Sequence, residues 1–210
     1  MNSQTTRRTV AGPAGNIECA IDAPLPGTAP RGVAIVCHPH PQGGGTMDNK
    51  VVQTLARALV QTGWRSVRFN FRGIGQSQGS WDEGVGEIDD ASAVIAACRE
   101  PAEPLLIAGF SFGGFVAAHA AARLADGAKA ERIVLVAPST QKQQVANVPA
   151  DTLVIHGEAD DVVQLASTLD WARPQSLPVM VFPGVGHFFH GQLGLLKSVL
   201  VQHLTRSPLT

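Results

Sequence analysis

Six short apolar runs, each leading into a turn rich in glycine, proline or histidine, constrain this chain's fold more than any other feature. They are GVAIVCH (32–38), SVRFNF (66–71), PLLIAGF (104–110), RIVLVAP (132–138), TLVIHG (152–157) and PVMVFPG (178–184). Strands that are apolar on both faces need cover on both sides, and parallel sheets wrapped by helices supply it. The intervening stretches carry helical patterning. Residues 48–62 set Val51, Val52, Leu55, Ala58 and Leu59 on one face, with Asp48 placed to cap the helix. Residues 87–100 have acidic side chains in the first turn, which complements the helix dipole. A small-residue helix follows Ser111, and GQLGLLKSVLVQHL closes the chain. The first ~25 residues, around NIECAI, read as an antiparallel strand or hairpin at a sheet edge. The fold class is therefore α/β, with a mostly parallel central sheet, helices on both faces and antiparallel strands at the N-terminal edge. Residues 1–210 are expected to form one domain.

Bulk properties exclude several function classes. Sixteen basic and 17 acidic residues without long runs give no electrostatic reason to bind nucleic acid or an anionic membrane. No apolar run approaches the ~18 residues of a membrane span, and the two arginines near the N-terminus precede no apolar segment. Cys19, Cys37 and Cys98 lack paired spacing and are expected to be reduced, buried thiols, which points to the cytoplasm. A homodimer is left open.

Two stretches fit Gly-x-Ser-x-Gly: GQSQG (75–79) and GFSFG (109–113). With 22 glycines in 210 residues a bare match is weak, so context decides. Ser111 stands where an apolar strand runs directly into a helix, which is where α/β sheets bind ligands and where a sharp turn exposes a hydroxyl. Ser77 lies inside the loop RGIGQSQGSWDEGVG, with no helix start behind it, and reads as turn chemistry.

A serine hydroxyl needs a base, normally a histidine oriented by a carboxylate. His187 lies just after the last strand; His190 is the second choice, and His119 and His203 fall within helices. The segment TLVIHGEADDVV offers Glu158, Asp160 and Asp161, with His156 ending its strand. The oxyanion of an acyl-transfer intermediate needs two donors. Phe112, after the serine, supplies one. In the loop after GVAIVCH, Pro39 and Pro41 have no N–H, leaving the His40 amide first in line, with Gln42 or a following glycine as substitutes. Phe188, Phe110, Phe112, Phe115 and Trp81 are candidates for an apolar acyl pocket or for the core. Arg72 is a candidate to bind a substrate carboxylate, with pairing to Asp82 or Glu87 as the plainer role. His38 and His40 form a His-x-His pair, but Gln42 and Gly43 stand where the HxHxDH pattern of metallohydrolases needs Asp and His, so no metal and no cofactor is expected. The spacing of Gly73, Gly75 and Gly79 does not fit a dinucleotide loop either.

The GFSFGG turn, HGEADDVV, PGVGHFFH and the order serine, acid, histidine resemble the α/β-hydrolase superfamily over nearly the whole chain. HGEADDVV is similar to the family's His-Gly-x-x-Asp-x-x-Val segment, which implies Asp160 over Asp161; Gln164 replaces the family's usual proline. RGIGQSQG resembles the family's Arg-Gly-x-Gly-x-Ser-x-Gly loop. CHPHPQGGGTMDNKVV, FNFRGIGQSQG and GHFFHG together resemble small lidless esterases related to dienelactone hydrolases, although those enzymes carry cysteine where this chain has Ser111. The resemblance implies a carboxylesterase with Ser111, Asp160 and His187 as triad and a small-molecule ester as substrate. A silent binding module, an acyltransferase and a thioesterase are the alternatives. Residues 138–151, where family lids insert, are too few for a helical cap, so the site should be open and shallow.

Overall fold

The computed structural model describes residues 5–205. Eight strands form one sheet: β1 (Thr6–Gly12), β2 (Gly15–Asp22), β3 (Gly32–Cys37), β4 (Trp64–Phe69), β5 (Leu105–Phe110), β6 (Arg132–Val136), β7 (Leu153–Gly157) and β8 (Val179–Phe182). Their spatial order is β1-β2-β4-β3-β5-β6-β7-β8. β1 and β2 form the expected N-terminal hairpin, antiparallel to each other and to β4, and all later pairs are parallel. Among the described residues four α-helices lie between strands, α1 (Lys50–Gln61), α2 (Val85–Cys98), α3 (Phe112–Ala122) and α4 (Leu165–Ala172), and α5 (Leu193–Thr205) follows β8.

Alternation along the strands divides the core into two layers. Leu105 and Ile107 of β5 pack with α2 and α3 through Ile88, Val94, Val116 and Ala117. Leu106, Ala108 and Phe110 face the other way, onto Leu55, Leu59, Leu196 and Leu200 of α1 and α5. Both faces are thus apolar, which is why β3 and β5 read as unbroken apolar runs. Cys19, Cys37 and Cys98 are free and buried. Burial pushes the Cys19 thiol up to about 12 and raises Cys37 as well. Among the described residues no helix is long and apolar enough to cross a membrane.

Two helix starts differ from expectation. The Asn49 side chain, not Asp48, caps α1 by accepting from the Val51 N–H at 2.9 Å. Asp48 instead accepts from Arg68 at 2.9 Å. α2 begins at Val85, before the expected residue 87, because Glu87 reaches back to accept from the N–H groups of Gly84 (2.8 Å) and Asp82 (3.0 Å). No helix forms between β6 and β7, so nothing caps the carboxyl end of the sheet there.

Candidate active site

Ser111 links β5 directly to α3 and adopts φ 56°, ψ −120°. For a non-glycine residue this conformation costs about 1–3 kcal/mol and persists only where the surroundings impose it. The Ser111 N–H donates to the Val136 carbonyl at 2.9 Å, and its own carbonyl accepts from Gly114 at 2.8 Å and Ser139 at 3.1 Å. The flanking glycines are required sterically. A Cβ on Gly109 would lie 2.0 Å from the Gly113 carbonyl oxygen, and one on Gly113 2.2 Å from the Cys37 carbonyl oxygen. Close approach of α3 to β5 and β3 thus fixes the strand–turn–helix geometry.

The turns after β5, β7 and β8 bring three side chains together. His187 Nδ1 lies 2.7 Å from Asp160 Oδ2, and His187 Nε2 lies 3.0 Å from Ser111 Oγ. With the imidazole proton on Nδ1, donated to the carboxylate, Nε2 is free to accept from the serine hydroxyl. All three residues are buried, with exposures of 3–7%. Asp160 Oδ1 accepts from the N–H groups of Val162 (2.9 Å) and Val163 (2.8 Å). Burial alone would raise the Asp160 carboxyl, but the bond from His187 and these amides outweigh it and hold it below its ordinary value. Glu158 and Asp161 do not reach His187; Glu158 accepts from the Gly184 N–H at 2.8 Å. His190 is exposed and stands against Phe188 rather than Ser111.

A cleft of about 360 Å³ opens over Ser111, with His40, Phe112, Lys142, His187 and Phe188 among its lining. The N–H groups of His40 and Phe112 have no acceptor among the described residues. Gly45 lets the loop fold back, since a Cβ there would lie 2.1 Å from the Pro39 carbonyl oxygen. The His40 ring packs between Trp81 and Phe112, with centroids at 4.7 and 5.2 Å. Burial, followed by the charge of Lys142, lowers its pKa. His38 is used structurally: Nδ1 donates to the Pro39 carbonyl at 2.6 Å and Nε2 accepts from the Phe71 N–H at 3.0 Å. Both ring nitrogens of this half of the His-x-His pair are therefore occupied.

Several expected roles need correction. Arg72 does not reach the cleft. Its guanidinium clasps the buried Asp90, with Nε and Nη2 at 3.0 and 2.8 Å from the two carboxylate oxygens, and Asp82 lies at 3.5 Å. The pairing role holds, but its main partner is Asp90, one helical turn beyond Glu87. Of the aromatic candidates, Phe188 is 43% exposed and lines the cleft, whereas the rings of Phe110, Phe112 and Phe115 are core. Ser77 is buried; its hydroxyl donates to the Asn70 carbonyl at 2.7 Å and accepts from the Glu18 N–H at 2.9 Å. Sequence reasoning missed Lys142, which lies in an irregular segment without periodicity, and the contact of His156 with Asp160.

The profile of the family described as serine aminopeptidase, S33, matches residues 28–148. A lidless α/β serine hydrolase of Xanthomonas campestris is 39% identical and superposes with a TM-score of 0.89, over 100% of this chain and 98% of that one. An α/β serine hydrolase homologue of Coxiella burnetii is 37% identical, with a TM-score of 0.84 over 95% and 97% of the two chains. An uncharacterized protein of Rickettsia prowazekii (strain Madrid E) is 31% identical over 194 residues, 85% of this chain and 79% of that protein.

Proposed function

The chain belongs to the α/β-hydrolase superfamily, as a serine hydrolase without a lid, and we propose that it cleaves carboxylic esters of small or flexible acyl groups. The observation that carries this reading is the continuous relay from Ser111 Oγ through His187 to Asp160, at 3.0 and 2.7 Å. His187 takes the hydroxyl proton as Ser111 attacks the ester carbonyl, and Asp160 stabilises the imidazolium that results. The negative oxygen of the tetrahedral intermediate receives the free amides of His40 and Phe112. The alcohol leaves with the proton held by His187, giving an acyl-enzyme on Ser111. A water molecule deprotonated by His187 then releases the acid.

Charge in the cleft favours an ester over the amino-terminal peptide bond that the family description suggests. Binding a peptide's α-ammonium needs a carboxylate near the serine. Among the described residues lining the cleft none is acidic, and Lys142 is the cation present. The missing cap leaves the acyl side open, with Phe188 and Val162 as its apolar surface.

A substrate panel tests the reading. p-Nitrophenyl esters from acetate to long-chain acids, a thioester and an aminoacyl p-nitroanilide would be compared by kcat/KM. Hydrolysis of short esters with a shallow chain-length profile is expected. A steep preference for long chains, or for the anilide, would overturn it.

A further inference from the structure

The loop between β4 and α2, which holds Ser77, ends beside the oxyanion amides. The Trp81 ring in this loop lies 4.7 Å from the His40 ring and 5.2 Å from the Phe112 ring, and those two rings are 5.2 Å apart. Three rings thus meet pairwise, each pair within the ~7 Å at which aromatic rings attract. His40 and Phe112 line the Ser111 cleft, whereas Trp81 does not and packs instead against the core. Trp81 therefore touches both residues whose amides face the oxyanion without facing the substrate itself.

An oxyanion donor must point at the place the oxygen will take, at about 2.7–3.1 Å, and must have no protein acceptor until then. It cannot be held by a bond of its own. The Phe112 N–H is set by the strained Ser111 turn. The His40 N–H lies in a loop, between two prolines. Its peptide unit is held from the far side, where His38 Nδ1 donates to the Pro39 carbonyl at 2.6 Å, and the His40 carbonyl accepts from Gly43 at 3.1 Å and Gly45 at 3.0 Å. The remaining handle on His40 is its ring, and Trp81 and Phe112 grip it. Trp81 is in turn fixed through its neighbour: the Asp82 N–H donates to Glu87, fully buried in the first turn of α2, at 3.0 Å. The other end of the loop is closed by the Ser77 hydroxyl and by the Gly73 N–H, which donates to the Gln78 carbonyl at 3.2 Å.

We propose that Trp81 is a positioning residue for the oxyanion site, clamping the His40 ring against Phe112 so that both amides aim at one point. The inference rests on the ester-hydrolase reading of Ser111, which gives those amides their task.

Steady-state kinetics on a p-nitrophenyl ester and on its thiono analogue, in which sulfur replaces the carbonyl oxygen, tests the role. Sulfur accepts hydrogen bonds weakly, so the preference for the oxygen ester reads how well the amides are aimed. Trp81→Ala should lower kcat on the oxygen ester about tenfold or more, short of the roughly 100- to 1,000-fold loss on removing a donor outright. KM should stay within about threefold, and the thiono ester should slow much less, so that the oxygen-to-sulfur rate ratio falls about tenfold. Trp81→Leu, which keeps apolar volume but no ring, should behave like Trp81→Ala, and Trp81→Phe should recover most of the ratio. An unchanged ratio in folded Trp81→Leu, whether both substrates slow together or neither slows, would overturn the clamp and leave the ester-hydrolase reading standing. A wild-type protein inert toward the oxygen ester would overturn that reading and the clamp with it.

Discussion

His156 Nε2 lies 3.4 Å from the same Asp160 oxygen that faces His187 at 2.7 Å, so one carboxylate oxygen meets two imidazoles. His156 also donates from Nε2 to the Val163 carbonyl at 2.8 Å. Burial is the main reason its pKa is lowered, which keeps the ring neutral with its proton on Nε2. Nδ1 is left buried without a partner. His156 therefore positions the acid loop and does not act as a base.

Replacing His156 by Leu removes that N–H and loosens the Asp160 loop. The expected effect is a fall in kcat of about tenfold, the equivalent of one lost hydrogen bond, with KM nearly unchanged. His156→Gln, whose amide can still donate, should recover part of the loss. Steady-state kinetics on a short ester checks this; an unchanged kcat in the Leu variant would reduce His156 to packing.

Arg72 should matter to folding and not to substrate. Asp90 is fully buried and receives both the Arg72 guanidinium and its backbone N–H at 3.0 Å. Arg72→Ala strands that carboxylate and should cost about 3–5 kcal/mol in urea unfolding. kcat/KM per folded molecule should stay within about threefold of wild type. A raised KM for carboxylate-bearing esters at unchanged stability would return Arg72 to substrate binding.

Part of the acid sensitivity should trace to His38. Burial lowers its pKa to about 4. The folded state thus takes up this proton later than the unfolded chain, whose histidine titrates near ~6.5. Above that value both states are neutral and nothing is lost. Below it the unfolded chain gains the proton first, so stability falls by about 1.4 kcal/mol per pH unit, to a total of about 3 kcal/mol near pH 4. Unfolding free energies of wild type and His38→Gln should diverge in slope across this window. Parallel curves would contradict the burial argument.

The fold was readable because the central strands β3, β5 and β6 are apolar on both faces and the turns carry glycine where backbones meet, as at Gly109 and Gly113. The strand-end positions of Ser111, Asp160 and His187 follow from the same pattern, whereas the edge hairpin was legible only through NIECAI of β2, since β1 is largely exposed and polar. Helix starts were less legible, since Asn49 and Asp48 are chemically equivalent caps until Arg68 claims Asp48. Pairings across the fold were hidden for the same reason. Nothing local to Arg72 names Asp90, and nothing local to His156 shows that its ring turns toward the acid loop. Ser77 illustrates the converse, a motif match whose hydroxyl is consumed by the backbone of Asn70 and Glu18.

The reactivity of Ser111 is the central claim, and a fluorophosphonate probe reads it directly. Labelling of the wild-type protein and of Ser111→Ala, with the adduct mapped by peptide mass spectrometry, needs no knowledge of the natural substrate. One adduct on Ser111, absent from the folded variant, is the predicted result. No adduct on folded wild-type protein, or an adduct on Ser77, would contradict it.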